Sequence, residues 1–232
     1  MTMFYIVLGG GTLAMMLVML FAGRMTKTAI WKRLVSAVIL TAAGVAGAKL
    51  MFWIESGFKD FGGRSFYGAL FFAPCLMIPV ALLLKMKISE MLDLCAPSEC
   101  VMLALLKANC YIDGCCGGKV IYQNEFENVC IIFPSQIVEC VTALLLMVLL
   151  LFMIRRGNNK GTVYAQYMII YGVLRFILNL MRETSPFIWI LPAGNFWSLI
   201  SLAIGLVWLY IVRKKNPIKK PRAKVHKRYS KK

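Results

Sequence analysis

Seven apolar stretches, each close to the length that crosses a bilayer as a helix, dictate what this chain can fold into. They run over residues 4–21, 34–53, 66–84, 91–112, 137–153, 163–180 and 188–212, and roughly 20 apolar residues are enough to cross the hydrocarbon core. In lipid every backbone N–H and C=O must be paired inside the protein, so repeated spans of this length are helices. The expected fold is therefore all-α: a polytopic membrane protein of about seven transmembrane helices over residues 1–212, followed by a basic tail over 213–232. Composition excludes the alternatives. With 60% hydrophobic residues and a mean hydropathy of +0.72, too few polar groups are left to cover a water-soluble surface or to sustain disorder. The fourth stretch is the least apolar, since it contains Asp93, Pro97, Glu99 and Lys107. The first has no basic residue before it and no small-residue cleavage site after it, and so does not read as a signal peptide.

The net charge of +17 would suit a nucleic-acid ligand if it were spread over one face. It is not. The tail holds eleven Lys and Arg and no acid, and most of the other basic residues sit in the gaps between spans. Those gaps carry, in order, net +4, 0, +1, −2, +3 and 0, and the tail +11. Basic residues mark cytoplasmic loops, so this alternation places the N-terminus outside and the tail inside, which requires an odd number of spans. The tail is read as a topology anchor lying against anionic lipid. The fourth gap, 113–135, is the longest outer segment and is a Gly-containing loop without an apolar stripe.

Ionisable groups inside spans are costly and mark either function or close pairing. Lys49, Asp93, Glu99, Lys107, Glu139 and Arg175 are of this kind, three basic and three acidic, so mutual pairing is one reading of them. The sixth span offers another. Tyr164, Tyr171, Arg175, Asn179 and Arg182 fall within roughly an 80° wedge of a helix, and its other faces are Ile, Leu, Val and Phe. Such a stripe faces a cavity inside the protein. A guanidinium there suits phosphate, which points to a phospholipid headgroup.

Eight cysteines divide into two groups. Cys75, Cys95, Cys100 and Cys140 lie in apolar runs and read as small buried hydrophobes. Cys110, Cys115, Cys116 and Cys130 gather near the outer loop. Three readings of them compete: a disulfide joining Cys115 or Cys116 to Cys110 or Cys130, a thiolate activated by Lys107 and Arg175, and a metal site. The single histidine, His226, lies far off in the tail and weighs against the metal.

Several stretches together resemble the prolipoprotein diacylglyceryl transferase family of bacterial inner membranes. Gly47-Ala48-Lys49-Leu50-Met51-Phe52 is similar to its G-A-R-L-F-Y. Ser65-Phe66-Tyr67-Gly68-Ala69-Leu70 is similar to S-x-H-G-G-L. Leu92-Asp93-Leu94-Cys95-Ala96-Pro97 and then 107–118 resemble A-D-L-x-A-P followed by R-x-G-N-F-x-N-G-E-x-x-G. Phe133 to Glu139 resembles H-P-S-Q-L-Y-E, Tyr171 to Arg175 resembles Y-G-x-x-R, and Gly194-Asn195 the late G-Q. The order is kept over about residues 45–200.

The resemblance implies a bacterial plasma-membrane transferase with a central cavity open sideways to lipid. Phosphatidylglycerol would donate a diacylglyceryl group to the thiol of a prolipoprotein cysteine, and glycerol phosphate would leave. No metal or other cofactor is expected, and no nucleic acid. Tyr67, Lys107, Arg175 and Cys115 are the candidate catalytic groups. Lys49, Gly68, Asp113, Gly114, Gly118, Gln136, Glu139, Tyr171, Asn179 and Arg182 are the candidate binding residues, with Asp113 and Glu139 as candidate bases.

The chain departs from the pattern where chemistry is expected. Tyr67 stands for the family's His, Lys107 for its signature Arg, Cys110 and Asp113 for two Asn, Cys115 for Glu, and Asn179 for an acid. A branch carrying G-C-C-Y-G is a nearer match to Gly114-Cys115-Cys116-Gly117-Gly118. The alternatives are therefore a related transferase with a changed donor group or acceptor, and a non-catalytic lipid-binding membrane protein.

Overall fold

The computed structural model describes residues 2–26, 28–60, 62–124, 129–157, 161–182, 187–188 and 191–215. The basic tail beyond Lys215 lies outside the described residues, as do Lys27, Glu125, Glu127, Lys160 and Glu183 of the charge alternation.

Seven helices are present among the described residues: α1 (Thr2–Thr26), α2 (Ile30–Glu55), α3 (Phe66–Leu83), α4 (Ile88–Ile112), α5 (Ser135–Arg155), α6 (Thr162–Leu180) and α7 (Ala193–Lys215). Each expected span corresponds to one of them. Two small antiparallel ribbons, β1 (Val120–Asn124) with β2 (Val129–Ile132), and β3 (Phe187–Ile188) with β4 (Leu191–Pro192), add strand to the expected all-α fold. The second ribbon also moves the start of α7 to Ala193 from the expected 188. Pro192 favours that boundary, because a proline is tolerated at a helix entrance but not in its interior.

Six of the helices are long and apolar enough to cross a membrane, and α4 is not among them. The reason is its position. Every residue from Met91 to Cys100 is buried, and α4 packs against α1, α3, α5 and α6. A helix enclosed by protein need not be apolar on any side, so α4 accommodates Asp93, Glu99 and Lys107. The outer helices instead present Leu13, Leu17, Leu83, Leu145 and Tyr210 on the surface, the apolar cover a bilayer requires.

Close helix contacts are made at small residues, which let backbones approach without a hydrophobic driving force. A Cβ at Gly47 would stand 2.5 Å from the Gly68 carbonyl oxygen, and one at Gly68 would collide with the Gly47 carbonyl. Gly68, expected at the binding site, thus sets the spacing of α2 and α3. Gly172 similarly admits the Ser198 carbonyl of α7, where its Cβ would lie 2.9 Å away.

At one end of the bundle Asp93 caps a neighbouring helix. Its carboxylate accepts the backbone N–H groups of Gly161 (2.6 Å), Val163 (3.0 Å) and Tyr164 (3.1 Å), all in or next to the first turn of α6. Gly161 has φ of 90°, a left-handed backbone that favours glycine, and this turns the chain into α6. Asp93 is therefore a structural cap. Glu99, deeper in the core, accepts the Tyr164 hydroxyl at 3.3 Å.

Candidate functional site

The opposite end of the bundle holds a cavity of about 1160 Å³. One wall is apolar, with Leu8, Leu40, Val45, Met102 and Leu106. The other is polar and is built where the C-terminal parts of α4 and α6 meet the first turns of α5. Lys107, Tyr171, Arg175, Asn179 and Arg182 all line it. The polar stripe of α6 thus faces the cavity, apart from Tyr164, which is buried with its hydroxyl on the Leu70 carbonyl at 3.0 Å. The cavity accordingly accommodates a molecule with one charged and one greasy end.

Glu139 is the hub of the polar wall. The Lys107 ammonium lies 2.7 Å from its Oε2, the Arg175 guanidinium pairs with Oε1, and the Arg182 guanidinium lies 3.4 Å from the same oxygen. Glu139 is 4% exposed, while the three cations are 11 to 19% exposed. One carboxylate cannot neutralise three cations, so a surplus of two positive charges remains at the wall. The pairing read from the sequence is present here, and the three cations also line the cavity. Tyr67 lies beside them, with its ring 6.1 Å from that of Tyr171 and its hydroxyl bonded to Gly194 O (3.1 Å) and Ser198 Oγ.

The loop after α4 closes this end. Gly114, with φ of 66°, ends the helix. Cys115 and Cys116 follow, with their carbonyls held by Gln136 Nε2 (2.6 Å) and Ser135 Oγ (2.8 Å) from the first turn of α5. Gly118 bonds through its N–H to Phe133 O (3.0 Å), and a Cβ there would be 2.6 Å from that oxygen. Gln136, Gly114 and Gly118 thus shape the loop and do not line the cavity. Asp113 does line it, and its Oδ2 accepts the Asn109 amide at 2.7 Å. Lys49 is exposed on α2 and lies outside the cavity wall.

All eight cysteines are free thiols. Cys95 and Cys100 are buried as expected, whereas Cys75 is exposed on α3 and Cys140 is partly so. Cys110, Cys115 and Cys116 line the cavity, and their sulfurs lie within 4.8 Å of one another. Cys130 is not part of this group. The Cys110 thiol donates to Cys116, and Lys107 and Arg182 add positive charge, which together push the Cys116 thiol down to about 5. Burial raises that of Cys115. Of the two neighbours, Cys116 thus carries the greater thiolate character. In reduced, chelator-treated protein at pH 6.5, iodoacetamide is expected to alkylate Cys116 well before Cys115, read by peptide mass spectrometry. Equal rates at the two positions would contradict this.

Several cavity residues carried no signal in the sequence. Glu55, which accepts the Ser65 hydroxyl at 3.0 Å, and Arg64, 3.7 Å from the centre of the Phe4 ring, sit in or beside an ordinary polar gap. Lys119 also lines the wall, and only its adjacency to Gly118 could have pointed to it, whereas Asn195, which lines it too, lies in the stretch similar to the late G-Q.

A family profile described as prolipoprotein diacylglyceryl transferase matches residues 4–211. The chain is 31% identical over 193 residues to a protein of Clostridium tetani named phosphatidylglycerol–prolipoprotein diacylglyceryl transferase, which covers 73% of this chain and 76% of that protein. It is 27% identical over 208 residues to a Clostridium perfringens protein of the same name, numbered 2, covering 78% and 79% of the two chains.

Proposed function

Because this chain belongs to the prolipoprotein diacylglyceryl transferase family, we propose that it moves the diacylglyceryl group of phosphatidylglycerol to the thiol of a prolipoprotein cysteine. The observation that carries this reading is the Glu139 hub with its surplus of two positive charges. A phosphodiester brings one negative charge into the cavity. The departing glycerol phosphate carries close to two near neutral pH, since a phosphate monoester has its second pKa at about 6. The wall thus matches the charge that develops as the C–O bond breaks better than it matches the bound lipid. Differential stabilisation of that kind lowers a barrier.

Lys107 and Arg175 hold the phosphate, and Arg182, Asn179 and Tyr171 surround the headgroup. The apolar wall takes the acyl chains. Tyr67, anchored by its hydroxyl beside the Glu139 hub, orients the lipid. Glu139 is committed to three cations and serves as their anchor, which leaves Asp113 as the base candidate on the wall. The test is release of glycerol phosphate from phosphatidylglycerol vesicles by the purified protein with a Cys-bearing peptide, together with a diacylglyceryl mass on that peptide. Vesicle binding without release would favour the lipid-binding alternative.

The charge alternation further supports placing the cavity at the outer leaflet and the tail in the cytoplasm. A fluorescent protein fused after Lys232 is expected to fluoresce, and alkaline phosphatase fused there to be inactive. An active phosphatase would reverse the orientation.

A further inference from the structure

The thiol triad on the cavity wall has no task in this mechanism. Cys110 comes from the last turn of α4, and Cys115 and Cys116 from the loop that follows. The backbone carrying the latter two is fixed independently of the sulfurs, by Gln136 on the Cys115 carbonyl, Ser135 on the Cys116 carbonyl, and the Cys110 carbonyl accepting the Cys115 N–H at 3.0 Å. Cys116 is held at φ of 61°, a left-handed conformation that costs a non-glycine residue energy and so reflects a backbone set by its surroundings. The three sulfurs are within 4.8 Å of one another. Thiolates around one zinc ion, at about 2.3 Å each, stand about 3.8 Å apart, so a contraction of about 1 Å would bring them to that spacing.

We propose that Cys110, Cys115 and Cys116 bind one thiophilic divalent cation, Zn(II) by its chemistry, and that the cavity side of the ion is left open for the thiol of the acceptor. The second half rests on the transferase reading. Three protein ligands with a vacant fourth position is the pattern of zinc sites that act on a substrate, whereas purely structural sites are closed by four. The described residues offer no histidine, and the nearby Asp113 carboxylate is engaged by Asn109. Three thiolates and a divalent cation carry net −1, and the cations of the Glu139 hub lie on the same cavity wall. Beside Asp113, the site supplies a second means of deprotonating the acceptor, where Tyr67 and Cys115 stand for the family's His and Glu. A thiol that coordinates zinc loses its proton outright, here to water. Its sulfur then forms the C–S bond to the glyceryl carbon as the C–O bond breaks. The electron pair leaves with glycerol phosphate, and the neutral thioether is a weak ligand that departs.

Cobalt(II) in place of zinc tests this without any turnover. Reduced, chelator-treated protein in detergent is expected to bind one Co(II) with sulfur-to-metal charge-transfer absorption. Cys110→Ser, Cys115→Ser and Cys116→Ser are each expected to weaken binding at least tenfold, while Cys75→Ser and Cys130→Ser do not. All five are checked for an unchanged size-exclusion profile. A hydrophobic peptide with one Cys should raise the thiolate band by about one-third, from three sulfurs to four, and the same peptide with Ser should not. No thiolate band, or a band indifferent to the three Ser variants, overturns the site. A metal-loaded protein whose spectrum ignores the Cys peptide overturns the open position. These spectra in a protein that releases no glycerol phosphate would uphold the metal site and refute the transferase reading instead.

Discussion

Replacing Arg175 by Ala is expected to lower glycerol phosphate release about a hundredfold to a thousandfold, the usual loss when one donor to a developing anion is removed. The protein should still insert and fold. Glu139 keeps Lys107 at 2.7 Å and Arg182 at 3.4 Å when Arg175 is gone, so its buried charge is not orphaned. What falls is the surplus at the wall, from two positive charges to one. That still suits a bound phosphodiester but not the departing dianion, so turnover should suffer more than lipid binding. Arg175→Lys should recover part of the loss, because an ammonium restores the charge without the two-pronged geometry of a guanidinium. Glycerol phosphate release and vesicle binding, measured on the same preparation, separate the two effects. Full activity in Arg175→Ala would reduce the guanidinium to a partner for Glu139.

The largest loss of stability is expected at Asp93, far from the chemistry. Asp93→Ala removes the acceptor for three backbone N–H groups at the start of α6 and leaves them buried. An unsatisfied buried donor costs about 1 to 3 kcal/mol, and the three share one site, so a total of about 3 to 5 kcal/mol is expected. For a chain of this size that corresponds to a fall of roughly 10 °C in the unfolding midpoint. Asp93→Asn keeps an amide oxygen that reaches one or two of the donors and should lose roughly half as much. Thermal unfolding in detergent, followed by tryptophan fluorescence, checks both. An Asp93→Ala protein as stable as the parent would mean that the first turn of α6 finds other acceptors.

Elements governed by local physics were legible from the residues. Hydrophobic length marked each span, and period 3.6 marked the face of α6 that carries Tyr171, Arg175 and Asn179, with Arg182 just past its end. What depended on distant segments was not legible. Asp93 and Arg175 look alike in sequence, each a charge within a span, yet one caps a helix 68 residues away and the other lines a cavity. The resemblance assigned Gly68 and Lys49 to the site, whereas in the structure Gly68 spaces two helices and Lys49 is exposed outside the cavity wall. Both outcomes depend on which face of α2 meets α3. The gathering of Cys110 with Cys115 and Cys116 was foreshadowed by their closeness in the chain. The exclusion of Cys130 was not, because it follows from the ribbon of β1 and β2 carrying that residue away.

The enclosure of α4 bears on how the protein reaches the membrane at all. A newly made helix meets the translocon before its later neighbours exist, and there it is judged by its own transfer energy. Asp or Lys near a helix centre costs about 2.5 to 3.5 kcal/mol on that scale, and α4 bears Asp93, Glu99 and Lys107. Its permanent partners are made at different times: α1 and α3 before it, α5 and α6 after it. Retention of α4 therefore depends on helices already waiting in the bilayer, and its charges are matched only when Tyr164, Gly161 and Glu139 have been synthesised. Biogenesis of this enzyme is a cooperative step spanning most of the chain, and truncations ending soon after Ile112 should leave α4 slipping back into water.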